Sequence, residues 1–136
     1  DQLLNIGILI QDQMPKFEAL SVQIGLQYGS PLPFGPPGMD RFKDTLRMKS
    51  YCRVDFGTSY DFLYNKRMKE QKNIEVKQNF FNKTFTDAIL SFEVYNLLGI
   101  NNEMSKQWVQ DVNGGYYAVP NYLTQRRFNL KLILRF

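Results

Sequence analysis

Few residue sets in this 136-residue chain have the types and spacing that covalent chemistry needs. Histidine is absent. The chain therefore lacks the commonest general base and the commonest zinc ligand, and no Ser–His–Asp or Cys–His set can be assembled. Asp55 and Asp61 stand six residues apart in one alternating segment. At strand rise that puts them ~20 Å from each other on one face, too far for a carboxylate pair. Asn113-Gly114-Gly115 reads as a turn, without the Gly-Lys-Ser/Thr ending of a phosphate loop. The acidic residues are scattered, with no alternating Asp/Asn loop of the calcium type. Asn82-Lys83-Thr84 matches a glycosylation acceptor only in its three-residue pattern. The expectation is a protein that is not an enzyme and that holds no metal and no cofactor. The aromatics Trp108, Tyr116, Tyr117 and Tyr122 crowd one polar stretch. They are candidates for stacking on a carbohydrate or peptide ligand, against the simpler role of packing within a loop.

Charge narrows the partners. Seventeen basic and 13 acidic residues leave a net charge of +4, which is mild. The densest basic stretch, Lys66, Arg67, Lys69 and Lys72, is interrupted by Glu70. Nucleic-acid binders concentrate charge on one helix or face, so nucleic acid is not an expected partner. The single cysteine, Cys52, cannot form an internal disulfide and says little about compartment.

The elements that must position these residues announce themselves by a period of two. In windows 3–11, 20–28, 52–62, 88–95 and 127–136 the even positions are apolar apart from Thr58. They include Leu4, Ile6, Ile8 and Ile10 in the first window, and Phe128, Leu130, Leu132, Leu134 and Phe136 in the last. The odd positions carry Arg53, Asp55, Asp61, Glu93, Arg127, Lys131 and Arg135, with small and amide residues between them. A strand segregates such classes onto opposite faces, whereas a helix would mix them on every face. Ten residues span ~33 Å, or ~23 Å when tilted by ~45°, close to the ~25 Å apolar band of an outer-membrane barrel. Soluble strands typically run five or six residues. No run approaches the ~20 apolar residues of a membrane-crossing helix.

Between the windows, 12–16 reads as a compact turn around Pro15. Residues 29–50 read as a long loop holding four of the six prolines, where regular structure is not expected. Residues 63–87 are polar and basic with room for a short helix, and 96–126 read as a second long loop. The fold class expected is all-β: an antiparallel up-and-down meander of about five long strands, forming part of a large transmembrane β-barrel. Alternation alone also fits a soluble β-sandwich with the even face as its core. Two features favour the membrane. The chain ends on a full-length alternating strand with Phe136 last, an edge that barrel closure would protect. Aromatics also gather at window ends, at Tyr28, Tyr51, Tyr60, Phe62, Tyr64, Tyr95 and Phe136, as they do at membrane–water boundaries.

Several stretches resemble the C-terminal β-barrel region of TonB-dependent outer-membrane receptors of the Bacteroidetes type. Residues 28–37, Tyr-Gly-Ser-Pro-Leu-Pro-Phe-Gly-Pro-Pro, are similar to a "GLPFGPP" loop with Pro31 in place of Gly. Residues 47–57 resemble an "R-x-P-x-Y-x-R-V-D-I-G" strand entry with Lys49 in place of Pro. Residues 92–102 are similar to "E-V-F-N-L-L-x-I-N-N", and 117–127 resemble the lead into a closing strand. The resemblance implies that residues 1–136 are the C-terminal segment of a barrel of about 22 strands whose plug domain and earlier strands lie elsewhere. The opening Asp1-Gln2-Leu3-Leu4 is read the same way, as part of a longer protein. It implies energy-coupled nutrient uptake in a Gram-negative outer membrane, with the cargo unspecified. The seven charged odd residues named above would line the polar lumen. Phe128, Leu130, Leu132, Leu134 and Phe136 would form the signal read by the barrel-assembly machinery. Outer-membrane lipid would be a partner, TonB would engage only through the absent plug, and a surface lipoprotein is a further partner by analogy. The alternative is an independent soluble β-sheet binding module.

Overall fold

A computed structural model of the chain describes residues 2–36, 46–72, 74–75, 84–123 and 125–136. The strands are β1 (Asn5–Met14), β2 (Phe17–Gly29), β3 (Pro33–Phe34), β4 (Leu46–Arg47), β5 (Tyr51–Asp61), β6 (Asp87–Tyr95), β7 (Glu103–Gln110), β8 (Tyr116–Tyr122) and β9 (Arg127–Arg135), with one helix, α1 (Tyr64–Gln71). Each of the five alternating windows is a strand, and the five form one antiparallel sheet in the order β1-β2-β5-β6-β9. Chain order and sheet order agree, which is the expected meander.

The connections correct the sequence reading in three places. The 12–16 turn shrinks to Pro15 and Lys16, because β1 runs on through Met14. The proline-rich 29–50 stretch contains a two-residue ladder, Pro33 opposite Arg47 and Phe34 opposite Leu46. The 96–126 stretch is no open loop: β7 and β8 pair as a hairpin, with Trp108 opposite Ala118. Alternation missed this hairpin because apolar and polar residues share both of its faces. Lys106, Trp108 and Tyr116 lie on one face, and Gln107, Val109 and Tyr117 on the other. Pro120 is tolerated because a two-stranded ribbon has free edges.

The chain divides into two compact units. The first holds Asp1–Ile8, Gly25–Val54 and Asn96–Arg127. Its order depends on two buried asparagines. The Asn102 side chain accepts from the Cys52 N–H at 2.9 Å and donates to the Cys52 carbonyl at 2.8 Å. It thereby replaces a neighbouring strand for that residue. Asn96 adopts a left-handed φ of 53°. Its side chain closes the following turn, accepting from Ile100 N–H at 3.1 Å and donating to the Ile100 carbonyl at 2.9 Å. Asparagine tolerates that backbone region better than most residues. The turn is tied to β5 by Leu97 N–H donating to the Val54 carbonyl at 2.7 Å.

The second unit holds Leu9–Ile24, Asp55–Tyr95 and Phe128–Phe136. Here β5 and β6 pair even with even and odd with odd: Thr58 faces Phe92, and Ser59 faces Ser91. The apolar and polar faces are thus continuous across strands. On the polar face Ser59 Oγ donates to Ser91 Oγ at 2.9 Å. Gly57 leaves space for Gln23, whose Cγ and Nε2 would lie 2.8 Å from a Cβ placed there. Helix α1 is rich in good helix formers, but eight residues are too few to hold a helix alone. It is anchored by Leu63, which is fully buried, and by Arg67, described below.

Among the described residues the buried apolar side chains are only Met48, Leu63, Ala88 and Val94. On the outer strands β1 and β9 the large even-numbered side chains are exposed, as with Ile10 at 61%, Leu130 at 69% and Leu132 at 59%. On β2, β5 and β6 that face is a mixture of exposed side chains such as Ile24 and Phe92 and half-buried ones such as Leu20, Phe56 and Leu90.

Asn102→Ala strips both hydrogen bonds from Cys52. It is expected to lower stability by about 1–3 kcal/mol, read as the urea midpoint of far-UV circular dichroism in detergent. Asn102→Asp keeps the acceptor but sets a buried carboxylate oxygen against the Cys52 carbonyl, so it should lose at least as much. An unchanged midpoint for the alanine variant would contradict the role assigned to Asn102.

Candidate functional site

Of the seven charged residues expected on the polar face, the structure brings some together and leaves others apart. Asp61 at the end of β5 and Asp87 at the start of β6 share the guanidinium of Arg67 from α1, one on each side of the fork. Arg135 of β9 donates to the other oxygen of Asp87 at 3.2 Å. The two carboxylates are largely buried, at 14% and 16% side-chain exposure, while Arg135 is 72% exposed. Glu93 accepts from the Tyr95 hydroxyl at 2.6 Å and from Asn129 Nδ2 at 3.0 Å, and it feels the charge of Lys131. Arg53 and Asp55 are half-buried on β5, and Arg127 is exposed at the start of β9. The Tyr64 phenol donates to Glu18 Oε2 at 2.8 Å. That hydrogen bond, with a smaller contribution from burial, raises the phenol pKa above its ordinary value. Arg67 and Asp87 were not among the expected site residues. Their only sequence signal was the basic stretch that Arg67 belongs to.

The residues expected to signal barrel assembly, Phe128, Leu130, Leu132 and Leu134, are all exposed along β9 with Phe136 just beyond it. Phe128 stacks on Phe92, ring centres 6.3 Å apart, and Phe136 lies 6.4 Å from Phe85.

The four candidate ligand aromatics do not converge. Trp108 lies on β7 and packs 6.0 Å from Phe34. Tyr116, Tyr117 and Tyr122 are exposed on β8, with Tyr116 and Tyr117 on opposite faces of the ribbon. The Asn82-Lys83 part of the glycosylation pattern lies outside the described residues.

Within the first unit there is instead a pocket of about 650 Å³ that the sequence did not reveal. Asn5, Gly7, Gln27 and Tyr51 form its strand wall. These are odd-numbered positions of β1, β2 and β5, so the wall is the polar parity. Leu32, Met48, Met104 and Leu123 contribute an apolar wall, and Lys49 and Glu103 bring opposite charges. The Tyr51 hydroxyl donates to Gln27 Oε1 at 3.4 Å. The Glu103 side chain is 5% exposed, and its Oε2 accepts no hydrogen bond. Lys106 Nζ stands 3.7 Å from that oxygen and 4.5 Å from the centre of the Phe34 ring. None of Trp108, Tyr116, Tyr117 and Tyr122 lines this pocket. Volumes of this order are usual for small-ligand sites.

Compared with known proteins, the chain matches no family model, no curated protein and no solved structure. The described residues contain no cluster of three or more metal-ligating side chains.

Arg67→Met would leave Asp61 and Asp87 close together without their shared cation. Because Arg67 is 41% exposed, solvent screening limits the expected loss to about 1–2 kcal/mol. Arg135→Met, at a far more exposed arginine, should cost less than about 0.5 kcal/mol. Equal urea midpoints for the two variants would show that Arg67 is not the clamp.

Proposed function

We propose that this chain is the C-terminal portion of an outer-membrane β-barrel of the TonB-dependent receptor type, and that its parent carries out energy-coupled uptake of a nutrient. The observation that carries this reading is the set of exposed apolar side chains on the even-numbered face: Ile6, Ile8 and Ile10 on β1, Ile24 and Leu26 on β2, Tyr60 on β5, Phe92 on β6, and Phe128, Leu130, Leu132 and Leu134 on β9. Ala88 and Val94 on that face are buried and others on the central strands are half-buried. Odd-numbered polar side chains such as Ser59 with Ser91 and Asn129 with Glu93 hydrogen-bond to one another. A soluble module using the even face as its core would bury those residues against one another. Each fully exposed Leu or Ile forgoes about 1.5–3 kcal/mol of burial in water. In lipid the same exposure is favourable, and the polar face suits a water-filled lumen.

The lengths agree with this assignment. β1, β2 and β5 run 10, 13 and 11 residues, enough to cross a tilted barrel wall. Counting back from β9 as the closing strand, 29–50 and 96–126 face outward, and 12–16 and 63–87 face the periplasm. The unusual length of 63–87 has a physical correlate in α1, which Arg67 fastens to β5 and β6. In this reading lipid is the immediate partner of the even face. The barrel-assembly machinery reads the β9 side chains and Phe136. TonB and a surface lipoprotein are partners of the whole receptor.

Leu130→Arg is expected to cost about 2–4 kcal/mol on the lipid face, lowering the folded fraction of the full-length parent in phosphatidylcholine vesicles. Asn129→Arg, beside Glu93 on the other face, should change it little. Equal effects would contradict the assignment of faces. Phe136→Ser in the full-length parent is expected to reduce outer-membrane insertion, and normal insertion would remove the assembly role of that residue.

A further inference from the structure

We infer that the pocket of the first unit binds a short peptide, holding its free ammonium end at Glu103. The inference deepens the uptake reading and rests on it for the arrival of a ligand. Three features of the pocket select this chemistry. First, a carboxylate oxygen buried without a hydrogen-bond donor is costly. Glu103 Oε2 accepts no hydrogen bond; its ion-pair partner Lys106 stands 3.7 Å away, beyond hydrogen-bond reach, with its ammonium over the Phe34 ring. A ligand ammonium supplies the missing donor. Second, Lys49 places a cation in the same pocket, which complements the carboxylate of a zwitterion. Third, the remaining surface is divided between amides, at Asn5 and Gln27, and aliphatic or thioether side chains, at Leu32, Met48, Met104 and Leu123. Amides match the donors and acceptors of a peptide backbone, and the apolar wall takes its side chains. A saccharide would call for flat aromatic faces to stack on. Tyr51 is the only aromatic in the lining, and its hydroxyl is engaged with Gln27.

Gly7 leaves this space open. It lies on the pocket wall, and a Cβ added there meets nothing within 4 Å. A larger side chain at this strand position would therefore project into the pocket without straining the backbone, and it raises strand propensity. Gly7→Leu is thus a filling variant that leaves the fold intact.

The test is isothermal titration of the full-length parent in polyoxyethylene detergent micelles. The probes are the tripeptide Leu-Gly-Gly, its N-acetylated form, and maltotriose. The free tripeptide is expected to bind. N-acetylation and Glu103→Gln should each weaken binding by about ten- to a hundredfold, the value of one charged hydrogen bond. Gly7→Leu should abolish binding with an unchanged strand signal in circular dichroism. Absent tripeptide binding, binding that survives Gly7→Leu, equal binding of the acetylated peptide, or binding of maltotriose in its place would each overturn the inference. Any of these results from a chain that still requires detergent leaves the membrane reading intact. A chain that is monomeric and folded without detergent removes that reading whatever the titration shows.

Discussion

A strand offers each side chain only two directions, and in this protein the two directions are sorted by polarity. That constraint governs the rest of the structure. The β5–β6 register sets Phe56 against Val94, Thr58 against Phe92 and Tyr60 against Leu90, keeping the parity across strands. A slip of one residue would drive Asp55 and Asp61 onto the apolar face and the aromatics onto the polar one. Hydrogen bonds between odd-numbered side chains, such as Ser59 with Ser91 and Asn129 with Glu93, reinforce the same register from the wet side.

Few apolar side chains among the described residues are buried, so much of the order comes from polar contacts. In the second unit an ionic clamp at Arg67 and the buried Leu63 fasten α1 to the strand ends. In the first unit Asn96 and Asn102 do with side-chain amides what a further strand would do with its backbone. Both asparagines fall in the stretch 92–102, and each is buried with its amide oxygen accepting from, and its amide nitrogen donating to, the backbone. Truncating either leaves backbone groups unsatisfied, and such a loss is dearer than that of an exposed contact.

The five long strands were legible in the sequence because each segregates its residue types over eight or more positions. The β7–β8 hairpin was not, because Lys106 shares a face with Trp108 and Gln107 shares one with Val109. Alternation carries no signal when neither face is uniformly wet or dry. The polar face was legible as a set of residues but not as a network. Asp61 and Arg135 were anticipated, whereas Asp87 and Arg67, which join them, come from the edge of a strand and from a short helix. The pocket was invisible for a similar reason. Its walls come from β1, β2, β5 and two connections far apart in sequence, and Gly7 contributes to it by having no side chain.

The account depends most on the even-numbered face meeting lipid. Site-directed spin labelling along β9 measures this most directly. With Cys52 replaced by serine, single cysteines at 128 to 134 would be labelled in turn in lipid bilayers, and collision with oxygen and with a water-soluble nickel chelate compared. The account predicts an alternation of period two, with even positions open to oxygen and shielded from nickel, and odd positions the reverse. Even positions shielded from both reagents, or open to nickel, would contradict it.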